Sequence, residues 1–229
     1  MNLDQKSLHN NSQPDTTVSK NGQDESEYGT LSVFLMDGTP LKWKDTVSDG
    51  SLHCRLGKPE EAEAIQAAMD KAGVYEPNDV ARRFLRGREV YLGEVTNEDG
   101  NAVIATYGWI ARTTEPLGKS GFAFEPPERH VWLYDFATIP EFRGRGYYPA
   151  LLRCIVEDLN QQGVRAAWIG TAPGNGKSAR SITRAGFSRV LLTRGVIDPS
   201  GTSIVFEHKP ALGVSPELVE VAKSVHIRL

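Results

Sequence analysis

The chain is poor in the residues that make covalent or metal cross-links. Cys54 and Cys154 are its only cysteines, and neither has a C-x-x-C partner or a histidine cluster beside it. This argues against a disulfide framework or a metal centre, and predicts two small buried apolar residues. No apolar run approaches the roughly 18 residues that a membrane helix needs, and no charged-then-apolar secretory signal opens the sequence. We therefore expect a cytoplasmic protein with no membrane partner and no bound metal.

A basic surplus is also missing. The net charge is -3, which argues against a general nucleic-acid binder. The charge is unevenly distributed, because residues 141–194 hold nine Lys and Arg against three acids, so this stretch carries +6 and the remainder -9. Such a reversal favours a polyanionic ligand held at one place, although for any single arginine a solvated helix face is the alternative.

Composition divides the chain into four parts. Residues 1–29 are polar with scattered apolar side chains and predict a disordered tail. Residues 30–50 contain two extended runs around an Asp-Gly turn and predict an accessory β-hairpin. Residues 51–210 read as one α/β domain, and residues 211–229 as a helical tail with Leu218, Val221, Ala222 and Val225 on one face. That face packs on its own domain or on a partner subunit, so a homodimer stays open.

The main domain alternates strands with helices in the order β-α-α-β-β-β-α-β-α-β-β. This order predicts an α/β fold with one mixed sheet. The clearest helix is "YPALLRCIVEDLNQQG", which follows a strand and places Leu151, Leu152, Ile155 and Leu159 at helical spacing.

Two stretches compete as an anion site. "EFRGRGYYPALL" lies between a strand and a helix, where Gly144 and Gly146 permit a tight turn and Pro149 suits the first helical turn. The first N–H groups of that helix have no internal partner and attract a phosphate. "TAPGNGKSARS" approaches a P-loop, but Thr171 stands where the first glycine is required. The first stretch is therefore the stronger candidate.

The two stretches together resemble the signatures of the GCN5-related N-acetyltransferase (GNAT) superfamily. "TIPEFRGRGYYPALL" is similar to the family's acetyl-CoA motif through Pro140, Arg143, Gly144 and Gly146. "NGKSARSITRAGF" is similar to its second motif through four further residues, Asn175, Ser178, Gly186 and Phe187. The resemblance implies the acyl-CoA N-acyltransferase fold over residues 51–210.

The resemblance also implies a donor and a reaction. Acetyl-CoA, or another acyl-CoA, would be the co-substrate, and the acceptor would be a primary amine of a small molecule or a peptide. The implied contacts with the donor are Phe136, Ala137, Thr138, Arg143, Gly144, Arg145, Gly146, Tyr147, Tyr148, Asn175 and Ser178. Two alternatives are a non-catalytic acyl-CoA sensor and a P-loop nucleotide-binding protein.

Two departures from the family pattern affect the chemistry. Many members have a tyrosine, as the acid for the leaving thiolate, where this chain has Ile182, and a small residue where it has Tyr148. Tyr134, Tyr147 or another hydroxyl is then the acid, or the thiolate leaves without one.

Asp135, an acid inside the apolar strand "VWLYDFATI", is the candidate base, and we expect it to be buried with a raised pKa or bonded to a neighbouring backbone group or arginine. Glu125, Glu128 and His130 are the alternative bases. Aromatic residues that line the acceptor pocket, or belong to the core, are Tyr107, Trp109, Phe122, Phe124, Trp132 and Tyr134.

Overall fold

A computed structural model describes residues 27–37, 51–73, 79–116, 122–172, 174–201 and 204–228. The strands of this part are β1 Glu27–Asp37, β2 His53–Leu56, β3 Glu89–Thr96, β4 Ala102–Ala111, β5 Glu115–Pro116, β6 Phe122–Phe124, β7 His130–Thr138, β8 Ala166–Thr171, β9 Ser188–Ile197, β10 Ile204–Pro210 and β11 His226–Arg228. The α-helices are α1 Ala62–Ala72, α2 Asp79–Leu85, α3 Tyr147–Gln161, α4 Gly176–Arg184 and α5 Pro216–Ser224. The predicted mixed α/β order is confirmed.

Eight strands form one sheet in the order β10-β9-β1-β8-β7-β4-β3-β2. β7 and β8 run parallel, joined by the crossover helix α3, and the other neighbours in this sheet are antiparallel. A parallel pair needs a long crossover connection, whereas short turns join only the consecutive antiparallel pairs β3–β4 and β9–β10.

The prediction of an accessory hairpin over residues 30–50 is wrong for its first strand. β1 lies inside the main sheet, with Val33 opposite Gly170 of β8 and Leu191 of β9. Its continuous apolar run, residues 33–36, therefore belongs to the core, and Val33 and Phe34 are both buried. The strand also begins at Glu27, within the predicted tail; residues 1–26 and 38–50 lie outside the described part.

The helices cover both faces of the sheet. α3 and α4 pack on one face through Leu151, Ile155 and Ile182, together with Val131 and Leu133 of β7. α1 and α2 pack on the opposite face with Tyr107 and Trp109. Each face therefore has its own hydrophobic core, and the sheet between them is buried on both sides.

The C-terminal tail packs on its own domain. Leu218, Ala222 and Val225 pack in one cluster with two residues of the main sheet, Val33 and Leu191. The apolar face of α5 is therefore buried against its own domain. Val221, predicted on that face, is 37% exposed, and Val219 is buried instead. After α5 the chain forms β11, which pairs with β6 and extends a small β11-β6-β5 sheet that the sequence did not predict.

The two cysteines are closer than their separation in the sequence suggests. Cys54 on β2 and Cys154 on α3 are free, half-buried thiols, not fully buried apolar residues. A hydrogen bond between the two thiols raises the pKa of Cys54 and lowers that of Cys154. Glu157 raises the pKa of both.

Candidate functional site

The central feature of the site is a gap between the two parallel strands. β7 and β8 pair from His130 to Leu133, the last pair being Leu133 with Ile169. β7 nevertheless continues to Thr138, so its last residues have no partner on the β8 side within the described residues. On its other edge β7 remains paired with β4 as far as Thr138. One edge of residues 134–138 is thus available to a ligand.

A bulge in β7 shapes that edge. Tyr107 of β4 lies opposite Ala137, and Trp109 opposite Tyr134, so β7 has one residue more than β4 between these pairs. Asp135, at the bulge, has a left-handed φ of 48°, which is uncommon for a residue with a side chain. The ring of Phe136 crosses directly over Gly108, where an added Cβ would stand 2.1 Å from Phe136 Cε1. Gly108 therefore permits this position of Phe136.

The predicted phosphate loop lies between β7 and α3. Gly144 and Gly146 both have left-handed φ, 83° and 77°, and Gly146 is the N-cap of α3. Pro149 lies in the first turn, where its missing N–H removes no hydrogen bond. A Cβ added at Gly144 would meet nothing within 4 Å, so the loop has open space beside it. The geometry is that of an anion cradle at a helix N-terminus.

The two arginines of the loop differ in how they are held. Arg143 donates from Nε to the carbonyl of Thr138 at 3.0 Å and from Nη2 to that of Ala72 at 3.4 Å. Its side chain therefore braces the loop against the end of β7 and against α1. Arg145 instead lies over the ring of Phe142, with 5.7 Å from Cζ to the ring centroid. Both residues are exposed and add positive charge beside the cradle.

Tyr148 points across the gap and not into the phosphate loop. Its ring lies 5.5 Å from that of Phe136, and its hydroxyl is 3.4 Å from Ser178 Oγ on α4. Burial raises the pKa of Tyr148 to about 12, so the hydroxyl keeps its proton at neutral pH. Tyr147 points elsewhere, with its hydroxyl 3.3 Å from Ser51 Oγ.

The start of α4 accounts for the sequence that approaches a P-loop. The side chain of Asn175 accepts a hydrogen bond from Ser178 N at 3.1 Å and so caps the helix. Ser178 faces Tyr148, and Ile182, one turn later, is fully buried. Asn175 and Ser178 therefore lie at the gap, with no hydroxyl at Ile182 to serve as an acid.

One of the two expectations for Asp135, a buried carboxylate in an apolar environment, is wrong. Its side chain is 43% exposed, and Arg83 of α2 donates to it, with 2.5 Å between Nη2 and Oδ2. This matches the other expectation, an aspartate bonded to an arginine. Arg83 is only 12% exposed and also donates from Nε to Asp79. Arg83 was not selected from the sequence, because a charged residue on a helix is usually solvated.

The aromatic residues divide into two groups. Tyr107, Trp109 and Tyr134 surround Arg83, whose Cζ lies 4.9 Å from the Trp109 centroid and 5.2 Å from that of Tyr134. Phe124 and Trp132 stack on each other at 4.3 Å in the core beneath α5, so the acceptor-pocket expectation is wrong for them. The side chain of Phe122 lies outside the described part.

The alternative bases lie at the far end of β7. His130 begins that strand, and its Nδ1 accepts from Trp168 Nε1 at 3.0 Å, while burial lowers its pKa. Glu125 and Glu128 are exposed in the connection before it. None of the three is near the bulge, because four residues of extended strand lie between His130 and Asp135, and the two glutamates precede His130.

Comparison with known proteins agrees with this geometry. Residues 81–187, which contain the bulge, the cradle and α4, match the family model described as the acetyltransferase (GNAT) family. Residues 81–187 belong to the GNAT family. No curated protein sequence matches the chain.

Solved structures share the GNAT fold. A GCN5-related N-acetyltransferase from Sphaerobacter thermophilus matches with a TM-score of 0.50 and 17% identity over 79% of this chain and 51% of its own. A GNAT acetyltransferase from Colwellia psychrerythraea matches at 0.50 and 12% identity, over 70% and 52%. This chain thus spans about half the length of each. An acetyltransferase from Salmonella typhimurium, solved with its cofactor acetyl-CoA, matches at 0.46 and 16% identity, over 73% and 98%.

Two further features of the structure concern metal ions and membranes. Within the described ranges, no group of three or more His, Cys, Asp or Glu is placed to hold a metal ion. Across the same ranges, no helix is both long and apolar enough to cross a membrane.

Proposed function

We propose that this chain transfers an acetyl group from acetyl-CoA to a primary amine. The observation that carries the proposal is the gap between β7 and β8, which opens directly onto the glycine cradle at the start of α3. CoA has an extended pantetheine arm with a diphosphate at one end. Such a molecule fits a free strand edge that leads to the N-terminus of a helix. The GNAT match over residues 81–187 supports the same donor.

The residues present fit such a donor. Backbone N–H groups of residues 144–148 would hold the diphosphate, and the free edge of residues 136–138 would pair with the amide groups of the pantetheine arm. Asn175 and Ser178 border the same gap from α4. The arm would pass beside the ring of Tyr148, which packs against Phe136 and leaves the phosphate loop clear.

Acetyl-CoA would supply an activated thioester carbonyl. The amine nitrogen forms a bond to that carbonyl carbon, the carbon–sulfur bond breaks, and the sulfur leaves with the electron pair. Backbone N–H groups at the bulge would stabilise charge on the carbonyl oxygen. Asp135, exposed at the bulge, would take the proton of the amine, directly or through water. Tyr148, whose protonated hydroxyl faces Ser178 at the gap, would donate a proton to the sulfur.

The test measures thiol release from acetyl-CoA over a panel of primary amines, together with CoA affinity by calorimetry. Gly146→Glu, which adds bulk and negative charge to the cradle, should abolish CoA binding. Gly201→Glu is the matched control, because Gly201 also has a left-handed φ, 72°, but lies in the β9–β10 turn. Equal CoA affinity in both variants would contradict the cradle.

The same measurements separate the two alternatives. A sensor would bind CoA and release no thiol with any amine. A P-loop protein would bind Mg²⁺-ATP and lose that binding in Lys177→Ala. We expect Lys177→Ala to retain CoA binding, because Asn175 and Ser178 form a helix cap and border the gap.

A further inference from the structure

Unsatisfied buried polar atoms concentrate at one place in the described part of the chain. Five buried side-chain nitrogen or oxygen atoms there have no hydrogen-bond partner, and four of them belong to one cluster: Arg83 Nη1, Tyr107 OH, Trp109 Nε1 and Tyr134 OH. Buried polar groups normally find partners, so four orphans together call for an explanation. A ligand group that pairs with all of them would supply one.

The four residues lie next to one another. Trp109 and Tyr134 are cross-strand neighbours on β4 and β7, and Tyr107 lies two residues before Trp109 on the same face. Arg83 lies over the rings of Trp109 and Tyr134. Burial raises the pKa of Tyr107, and the negative charge of Asp135 raises it further. The Tyr107 hydroxyl therefore lies close to the ion pair of Arg83 and Asp135. We define these four residues as the orphan cluster.

The chemistry of these atoms selects the ligand group. Arg83 Nη1 and Trp109 Nε1 can only donate hydrogen bonds, and protonated tyrosine hydroxyls also donate. The matching group is therefore an oxygen acceptor, and a carboxylate presents two oxygens that can accept from Arg83 Nη1 and from the neighbouring hydroxyl and indole donors. Arg83 is already paired with Asp79 and Asp135, and Asp79 also lies 3.7 Å from Arg82 Nη2, so these four charges sum to zero and a bare anion would add an uncompensated charge.

The position of Asp135 selects the rest of the ligand. Asp135 is next to Tyr134 on β7 and is exposed at the bulge, whereas Tyr107 and Trp109 are fully buried. A ligand with an ammonium group at Asp135 and a carboxylate at the orphan cluster is neutral as a whole, so it would leave the charge of the site unchanged. The same ligand would present its amine at the bulge, where the proposed reaction takes place.

We propose that the orphan cluster binds the carboxylate of the acceptor, and that the acceptor is an amine that carries a carboxylate, such as an amino acid. This rests on the proposed function, and it adds the class of acceptor to it. The buried hydrogen-bond donors would discriminate strongly against an amine without the carboxylate, since that amine would leave them unpaired.

The test uses acceptor pairs that differ only by the carboxylate: histidine and histamine, lysine and cadaverine, tyrosine and tyramine. We expect kcat/KM for the carboxylated member to exceed that of its partner by at least about 100-fold in one or more pairs. Tyr107→Phe should reduce this ratio about tenfold, with unchanged CoA affinity and an unchanged or higher melting temperature, because the deleted hydroxyl has no partner.

Tyr91→Phe is the matched control. The Tyr91 hydroxyl donates to Asp158 on the opposite face of the sheet, so its loss should lower the melting temperature and leave the acceptor preference unchanged. Arg83→Met should abolish the preference, and its circular dichroism spectrum shows whether it folds. If Tyr107→Phe lowers stability and keeps the preference, the cluster is structural and the inference is overturned.

Failure of the proposed function gives a different result. In that case CoA binds, but no amine causes release of thiol from acetyl-CoA. The affinity of the protein for each member of the acceptor pairs, measured by calorimetry, then tests the inference. Binding of the carboxylated member alone, weakened about tenfold by Tyr107→Phe, would support the orphan cluster as a ligand site. Equal binding of both members, or of neither, would overturn it.

Discussion

Arg83 and Asp135 are 52 positions apart in the chain and form a 2.5 Å hydrogen-bonded ion pair that joins α2 to the bulge of β7. Asp135 is exposed, whereas Arg83 is nearly buried between two aromatic rings. The pair therefore presents a carboxylate at the bulge, where a nearly buried arginine holds its position.

The first prediction concerns that carboxylate. Asp135→Asn should lower turnover at least about tenfold, because an amide cannot accept the proton of the amine. Stability should change by only about 0–1 kcal/mol, since the Asp135 side chain is 43% exposed and the nearly buried Arg83 keeps its ion pair with Asp79. Steady-state kinetics and calorimetric CoA affinity test this, and unchanged turnover at all pH values would remove Asp135 from the role of base.

A second prediction concerns Gly108. In Gly108→Ala the new Cβ would lie 2.1 Å from the ring of Phe136, so the ring must move. We expect a loss of about 1–3 kcal/mol in the free energy of unfolding and weaker CoA binding, because Phe136 borders the gap. Urea unfolding and calorimetry measure both. In the control Gly57→Ala the Cβ would lie 2.8 Å from Val90 Cγ1, which should lower stability and leave CoA affinity unchanged.

Tyr148 gives the third prediction. Tyr148→Phe keeps the ring against Phe136 but removes the hydroxyl that faces Ser178. We expect turnover to fall roughly tenfold with CoA affinity preserved, because a protonated hydroxyl at the gap can assist the leaving thiolate. Tyr147→Phe, which removes a hydroxyl directed at Ser51, should retain full turnover. Equal turnover in the two variants would mean that the sulfur leaves without help from Tyr148.

The fourth prediction is a pH dependence of stability from His226. Burial lowers its pKa from 6.5 to about 4, with a smaller contribution from His208, while the bond to Ala222 O opposes the shift. The unfolded chain then binds more protons between these values, so stability is full above about pH 6.5 and declines as the pH falls toward 4, by roughly 3 kcal/mol in total.

Urea unfolding at pH 7.5 and 4.5 tests this dependence. His226→Phe should remove most of the decline that this residue causes, since phenylalanine does not titrate and also suits the cluster with Phe124 and Phe206. An equal decline in the variant would assign the acid sensitivity to other groups, such as His208, whose pKa is also lowered by burial.

Local signals in the sequence predicted much of the backbone structure of the proposed donor side, namely its glycine turn and the helix that follows. Gly144 and Gly146 require left-handed φ, and Leu151 and Ile155 are buried at helical spacing, because turns and helices depend on neighbours a few residues away. The acceptor side was predicted only in part. Tyr107, Trp109 and Tyr134 were among the candidates, but Arg83, which organises them, was not, since helix-face charges are usually solvated.

The sequence by itself determined the order of the elements, the glycine cradle and the helix cap at Asn175, all of which rest on contacts within a few residues. Only the tertiary structure decided that β1 enters the main sheet, that Tyr148 turns toward Ser178, and that Arg83 meets Asp135. Strand pairing and side-chain contacts between distant segments depend on how the whole chain packs. A local sequence pattern therefore does not identify which distant strand or side chain will be the partner.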